Sequence, residues 1–416
     1  MALRDILDKQ ATTIEYVLHT HGIRASVDGG RLSPRLAHFH IILPPGVRPS
    51  VLSPLVEEIA EALGVIACRL TVSGDESGVY LEVPRPDPIP VRLLPLVQRV
   101  ADVVPPVTAT LGMDNEGTGT PLLLRLNAPD VNPVLVSGKA GAGKSRLLRS
   151  MAMSLALHNS PDRLRLLLLD AGGEGLAFRG LDTLPHLACP VANGPIESLV
   201  GLRWAVRTLA RRDASHMDDE DSSELFFDDE AQHARGRANA NPTDKDEPEL
   251  VVLVDGVDAL LWSANRHMGA NTEAVSALTR LLGAGDRARV HVVVASERSD
   301  LGLNVEWGAR IAGPVANAEE ARIATGMKGS GAQSLLGQGD FLITLNTELI
   351  RFQAAHISSV EVEKGVKLIN SWLSISPGSL AEAGEDEIQV PMSATPNHRE
   401  RPQEGPTALR RAWVGD

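Results

Sequence analysis

The chain has 416 residues, which at about 150 residues per domain gives two or three domains and room for a sizeable core. Lys plus Arg number 40 against 53 Asp plus Glu, a net charge of −13, which argues against a uniformly basic nucleic-acid-binding surface while leaving room for a local basic patch. Apolar runs fall short of the roughly 20 residues a membrane helix needs and the N-terminus has no signal-peptide pattern. Cys68 and Cys189 stand far apart, so the expectation is a cytoplasmic chain with reduced thiols and neither disulfide nor zinc site.

Aromatic residues make up only 3% and the apolar content is mostly Leu, Val and Ala, as in a doubly wound α/β sheet. From residue 1 to about 105 the pattern is mixed α/β. Residues 14–21 predict a helix that stops at Gly22, 39–43 a strand closed by Pro44 and Pro45, and 51–63 an amphipathic helix; 65–72 and 79–83 predict two further strands. This reads as a small sheet with helices packed on one face. Residues 84–90, PRPDPIP, read as an extended linker, because proline fixes φ and restricts its predecessor. The N-terminal part holds no His or acid cluster, so its expected work is packing, docking or subunit contact.

The chemistry starts at residue 133. Val134, Leu135 and Val136 read as a buried strand that runs directly into Gly138, Lys139, Ala140, Gly141, Ala142, Gly143, Lys144 and Ser145. This is a complete G-x-x-x-x-G-K-[ST] loop. Its glycines let successive backbone N–H groups turn around a β-phosphate, Lys144 can reach the β- and γ-phosphates, and the Ser145 hydroxyl can complete a Mg²⁺ shell. Residues 146–158 carry apolar side chains at helical spacing, which aims a helix N-terminus at the phosphates.

Residues 164–170 (LRLLLLD) read as a strand covered on both faces, and 196–212 as a helix. Between Arg212 and Glu249 the composition changes: residues 213–230 hold nine acidic side chains and no Lys or Arg. The expectation for 213–249 is a solvated, disordered surface insertion, with Phe226 and Phe227 as a docking spot; facing a ring channel, it would repel a phosphate backbone. Residues 250–255 form an apolar strand ending in Asp255, placed to hold the water shell of Mg²⁺. Strands at 290–296, ending before Glu297, and at 340–345 follow, then a closing helix at 360–373 and a polar tail over 374–416 that predicts flexibility. Strands alternating with helices imply a parallel sheet with ligand at its carboxyl edge.

In their order, the loop at 138–145, Asp170, the turn at 184–190, the tract Leu202-Arg203-Trp204-Ala205-Val206 with Arg211 and Arg212, Asp255, Glu297-Arg298 and the run LLGQGDF at 335–341 resemble the motor of the FtsK/SpoIIIE DNA translocases. Arg310 and Arg322 fall at two further arginines of that motor, and the N-terminal part resembles the domain that precedes it. The resemblance implies a RecA-like P-loop NTPase with a central, mostly parallel sheet (residues 106–373), preceded by a small α/β domain (1–105). It further implies ATP and Mg²⁺ as ligands, and a homo-oligomeric, hexameric ring on double-stranded DNA.

The departures concern hydrolysis. Where the family has a water-activating glutamate, Gly256 follows Asp255; Glu297 replaces a glutamine that senses the γ-phosphate. The trans-acting arginine position falls on Asp286, with Arg287 beside it. Loss of a general base commonly costs roughly 10²- to 10⁴-fold in rate, and Asp258 and Glu297 are the substitutes at hand. Two readings stay open: an ATP-driven DNA translocase or DNA-gripping ring subunit using Lys144, Asp255, Glu297 and Arg287; or a degenerate ATP-binding ring subunit that serves as scaffold or nucleotide-gated clamp for a partner enzyme. In either, the acidic insertion or the tail offers a place for a protein partner.

Overall fold

The computed structural model describes residues 3–72, 78–115, 119–173, 175–223, 247–261, 268–284, 288–374 and 409–411. Two sheets organise them, one of four strands and one of eleven.

The small sheet is built from β1 (Ser26–Leu32), β2 (Leu36–Ile42), β3 (Arg69–Val72) and β4 (Val79–Pro84), all antiparallel in the order β1-β2-β4-β3. Alternation along β2 and β4 sends Ala37, Phe39, Ile41, Val79, Leu81 and Val83 to one face, where they pack with Ile14, Val17 and Leu18 of α1 (Leu3–Thr20) and Ile59 of α2 (Val56–Leu63). On the other face His38 and Glu82 are register partners. Helix α1 starts well before residue 14, and β1 was not foreseen. Its sequence SVDGGRL is almost wholly exposed and carries no apolar alternation to announce a strand. The predicted helix at 51–63 divides into a 3₁₀ turn, Pro49–Leu55, and α2, because Pro54 removes a donor within the segment. The strand expected at 65–72 shortens to β3.

The large sheet begins after α3 (Leu93–Val100). Its strands are β5 (Thr108–Asp114), β6 (Pro121–Arg125), β7 (Val134–Ser137), β8 (Leu164–Asp170), β9 (Ala192–Asn193), β10 (Glu249–Asp255), β11 (Val290–Ser296), β12 (Ala309–Ala312), β13 (Asp340–Leu345), β14 (Glu348–Ala354) and β15 (Leu409–Arg411). The run β12-β7-β11-β10-β8-β9 is parallel, and β13, β14, β5, β6 and β15 extend it in antiparallel fashion. Strand β7 is central, which explains why Val134, Leu135 and Val136 are all at most 1% exposed. Helices α4 (Lys144–His158) and α9 (Ser359–Ser374) cover one face; α5 (Pro195–Ser223), α6 (Asp258–Leu261) and α7 (Met268–Ala284) cover the other, and α8 (Ala318–Thr325) packs beside β12.

Helix α5 extends past the helix end expected at Arg212. It runs through Ser223, because no Gly or Pro interrupts the chain after Arg212 and each added residue gains a backbone hydrogen bond. Phe226 and Phe227 lie outside the described residues. Arg212, 6% exposed, pairs with Glu247 at 2.9 Å and donates to the carbonyls of Pro248, Ala288 and Arg289. It therefore draws together α5, the entry to β10 and the entry to β11. Of the predicted tail, Leu409–Arg411 is a strand that pairs with the edge strand β6; residues 375–408 and 412–416 lie outside the described residues.

The two sheets meet around Arg351. Its guanidinium bonds Asp340 at 2.6 and 2.9 Å and also bonds Glu82 of the small sheet, with all three side chains nearly inaccessible. Burial, with Arg351 and Arg31 nearby, pushes the His38 imidazole down to about 4. Arg69 donates to Ser330 O, and Arg35 to Gly337 O and Gln338 O. Among the described residues no helix is long and apolar enough to cross a membrane.

Candidate nucleotide site

Strand β7 ends at Ser137 and the chain turns through residues 138–143 into α4, whose first residue is Lys144. The loop can wrap because Gly143 sits at φ +106°, where a side chain is strained, and a Cβ there would lie 2.9 Å from Gly339 N. Gly339 N–H donates to Ala142 O at 2.7 Å, so the turn before β13 buttresses the loop from behind. Lys144 Nζ donates to Gly138 O at 2.7 Å and Lys139 O at 3.1 Å. Burial holds its ammonium below the ordinary lysine value, opposed by Glu297, Asp255 and Asp258.

The parallel strands bring further groups to the same carboxyl edge. Asp170 and Asp255 are register partners at the ends of β8 and β10. Ser145 Oγ donates to Asp255 Oδ2 at 2.7 Å, linking the last loop residue to the strand-end acid. Asp170, 3% exposed, accepts from Gly173 N at 3.2 Å and Ala177 N at 3.4 Å, which folds the segment after β8 over the edge. A cavity of approximately 690 Å³ opens there, lined by Gly143, Lys144, Ser145, Asp255, Asp258 and Glu297 among others.

Lys139, Ala140, Gly141 and Ala142 lie in the loop as expected, with Ala140 and Gly141 on the cavity wall and Ala142 buried beneath it. Asp258 opens α6, and its carboxylate is engaged at both oxygens: Ser296 Oγ donates to one and Glu297 N–H to the other, each at 2.9 Å. Gly256 has φ +64°, and a Cβ there would meet Gly172 N at 3.0 Å and Cα at 3.1 Å. The glycine therefore answers a left-handed backbone crowded against the β8 turn, and a longer residue cannot be added there without moving that turn.

Arg287 lies outside the described residues. Its neighbour Ala288 precedes the amino end of β11, the sheet edge opposite the cavity. Arg310 donates to Ile323 O and holds α8, while Arg322 pairs with Glu319 on an exposed helix face; neither lines the cavity. Sequence reasoning assigned no role to Gln338, which lines the cavity at φ +52° between two glycines. The only signal for it was its place inside the LLGQGDF run.

The donors fit a metal-bound triphosphate: backbone N–H groups, one ammonium, one hydroxyl and one strand-end carboxylate converge in a cavity open enough for a polyphosphate. Among the described residues no group of three or more His, Cys, Asp or Glu forms an all-protein metal cage.

Two family models match the chain: the FtsK alpha domain over residues 2–85, and the FtsK/SpoIIIE family over residues 98–300. The DNA translocase FtsK of Sporosarcina ureae is 27% identical over 382 residues, covering 88% of this chain and 46% of that protein. The DNA translocase SpoIIIE of Bacillus subtilis (strain 168) is 25% identical, covering 94% of this chain and 48% of that protein. The chain thus spans about half the length of the curated relatives it matches. Among solved structures, the pCW3 conjugation coupling protein TcpA in monomer form with ATPgS superposes with a TM-score of 0.52 at 14% identity, covering 86% of this chain and 99% of that one, a likeness of fold. With two models in chain order on the two sheets, and relatives aligned along most of its length, the chain belongs to the FtsK/SpoIIIE family.

Proposed function

We propose that this chain is the motor portion of an ATP-driven translocase of double-stranded DNA, acting in the cytoplasm as a homo-oligomeric ring, a hexamer by family. The observation that carries the reading is the 2.7 Å hydrogen bond from Ser145 to Asp255 beneath a complete phosphate loop. Residues 138–145 hold the phosphate chain of ATP, with Lys144 released from the Gly138 and Lys139 carbonyls to bridge the terminal phosphates. Ser145 and Asp255 would hold Mg²⁺, which when bound neutralises charge on the transferring phosphoryl group. Glu297 reaches the same cavity and orients the attacking water. Arg287, beside the position of the family's trans-acting arginine, would work on a neighbouring subunit's nucleotide; this is why oligomerisation is part of the reading.

A second reading rests on one observation. Both oxygens of Asp258 are committed to Ser296 and Glu297, and Gly256 leaves no carboxylate at the water-activating position. A ring subunit that binds ATP without cycling it, clamping DNA or a partner protein through the acidic insertion or the tail, would look like this. The test is DNA-stimulated ATP hydrolysis at low salt, where phosphate contacts are strongest, by wild type and Lys144→Ala. Turnover that rises with DNA and vanishes in the variant supports the motor; equal near-zero rates with ATP still bound by wild type overturn it in favour of the clamp.

A further inference from the structure

The small sheet carries a groove at its end farthest from the large one. Arg35, just before β2, grips the turn at 337–338, and Pro44, just after β2, lines the groove; the seven residues of the strand, about 24 Å, lie between them. The groove measures approximately 640 Å³. Buried Ile23, half-buried Val47 and Val51, which is 45% exposed, make its apolar part, and the exposed Arg24 and Arg48 stand beside them. Neither arginine side chain has a hydrogen bond or an ion pair among the described residues. We propose that this groove docks residues 224–230 (ELFFDDE) of a neighbouring copy of the chain and so makes one joint of the ring. The inference rests on the ring assembly proposed above and names a contact that builds it.

Complementarity is the first argument. The segment sets Leu225, Phe226 and Phe227 between Glu224 on one side and Asp228, Asp229 and Glu230 on the other. The groove offers the counterpart, an apolar surface flanked by two cations in a chain whose net charge is −13. Guanidinium groups pair with carboxylates through two parallel hydrogen bonds and also lie flat on aromatic rings, so one arginine serves both halves of such a peptide. The volume falls inside the range of about 300–1,000 Å³ that encloses a drug-sized ligand, enough for two phenyl rings.

Reach is the second, and it decides between the same chain and a neighbour. The small sheet is fastened to the β13 and β14 side of the large sheet, through Glu82 with Arg351 and Arg35 with the 337–338 turn. Helix α5 packs Leu202, Ala205 and Leu209 over β8 and β10, five strand spacings from β14, about 24 Å away. Arg212 fixes the helix at the amino ends of β10 and β11, and α5 continues to Ser223, about 16 Å farther on. Phe227 follows four residues later, a further 14 Å or so at full extension. Arg35, by contrast, meets the large sheet beside the phosphate loop, at the carboxyl ends of the parallel strands, and the groove lies a strand length beyond it. Segment and groove therefore occupy opposite corners of one chain, out of each other's reach. Two different patches that fit one another but cannot meet within a subunit make a head-to-tail contact, the kind that closes into a ring.

The test uses two double variants of the full chain, Arg24→Glu with Arg48→Glu in the groove and Phe226→Ser with Phe227→Ser in the segment. In sedimentation velocity with ATP and Mg²⁺, each is expected to weaken self-association about 10-fold or more while ATP affinity stays as in wild type. An equimolar mixture of the two has one intact groove and one intact segment per pair, and is expected to form dimers that neither forms alone. A fluorescein-labelled peptide of residues 221–232 reads the contact directly. It should bind the Phe226→Ser, Phe227→Ser chain, more weakly at high salt, and lose about 10-fold or more in affinity when Arg24→Glu and Arg48→Glu are added. Absent peptide binding, or binding indifferent to the charge reversal, would overturn the docking. Peptide binding with both variants assembling as wild type does would overturn the joint and give the groove to a different protein. Wild type that stays monomeric with ATP and DNA sinks the ring reading instead, and the peptide titration then decides the groove by itself.

Discussion

The two halves of the phosphate cavity are made differently. The half formed by residues 138–145 is contiguous in sequence, ends one strand and starts one helix, and is braced from behind by Gly339. The half facing the terminal phosphate is assembled from the ends of β8, β10 and β11, and its groups are already bonded to one another: Asp170 to its own turn, Asp258 to Ser296 and Glu297. A cradle made of backbone amides survives side-chain change, whereas a water-activating edge depends on single carboxylates. Binding and turnover can therefore drift apart within one cavity, and this chain has kept the elements of the first while rearranging those of the second.

The sharpest way to break that contrast is Lys144→Ala, which removes the ammonium that the loop brings to the cavity. ATP affinity measured by calorimetry should fall by about 100-fold or more, since a charge-assisted phosphate contact is worth several times a neutral hydrogen bond. Asp258→Asn tests the other half. The amide keeps the shape but cannot accept at both oxygens, so the β11 end loosens; single-turnover hydrolysis should slow about 10-fold with ATP affinity within about 2-fold of wild type. If binding fell as far as turnover, the two halves would not be separable.

Gly256→Glu asks whether the missing glutamate can be restored. With φ at +64° and Gly172 3.0 Å from the new Cβ, the variant should lose about 1–3 kcal/mol of stability in a urea titration. Its ATPase rate should not rise above that of wild type. Gly256→Glu combined with substitution in the β8 turn is the arrangement in which a gain could appear. The smallest expected effect is Glu297→Gln, which reinstates the residue type the family uses: stability should change by less than about 0.5 kcal/mol, and any rise in hydrolysis, read alongside unchanged ATP affinity, would identify the γ-phosphate side as the limiting half.

The same division separates what was legible in the sequence from what was not. Lys144, Ser145 and Asp255 could be found by reading along the chain, because a loop motif and a buried strand ending in an acid are local patterns. The central strands were equally plain, being continuous apolar runs. Gln338 and Arg35 carry no local pattern; the packing of one sheet on another brings Arg35 to the turn that sets Gln338 in the cavity wall. Strand β1 was missed because both of its faces are largely exposed, and β15 because a stretch of three residues, Leu-Arg-Arg, becomes a strand only when an edge accepts it. The crowding at Gly256 was likewise invisible: in sequence it is a missing acid, and in space it is a close approach between two turns.

The clasp formed by Arg212 with Glu247 and the carbonyls of Pro248, Ala288 and Arg289 bears on how the family can vary. It fastens the two ends of the intervening stretch to each other at its root, so whatever is strung between them meets a fixed doorway in the sheet. Because loop closure grows only slowly in cost with length, roughly 0.6 kcal/mol per doubling, that doorway can admit a short bridge or a long graft with little penalty to the body of the protein. The position is accordingly a natural docking port for engineering, where a tag, a reporter or a binding module can be spliced in while the nucleotide cavity at the far edge stays as it is.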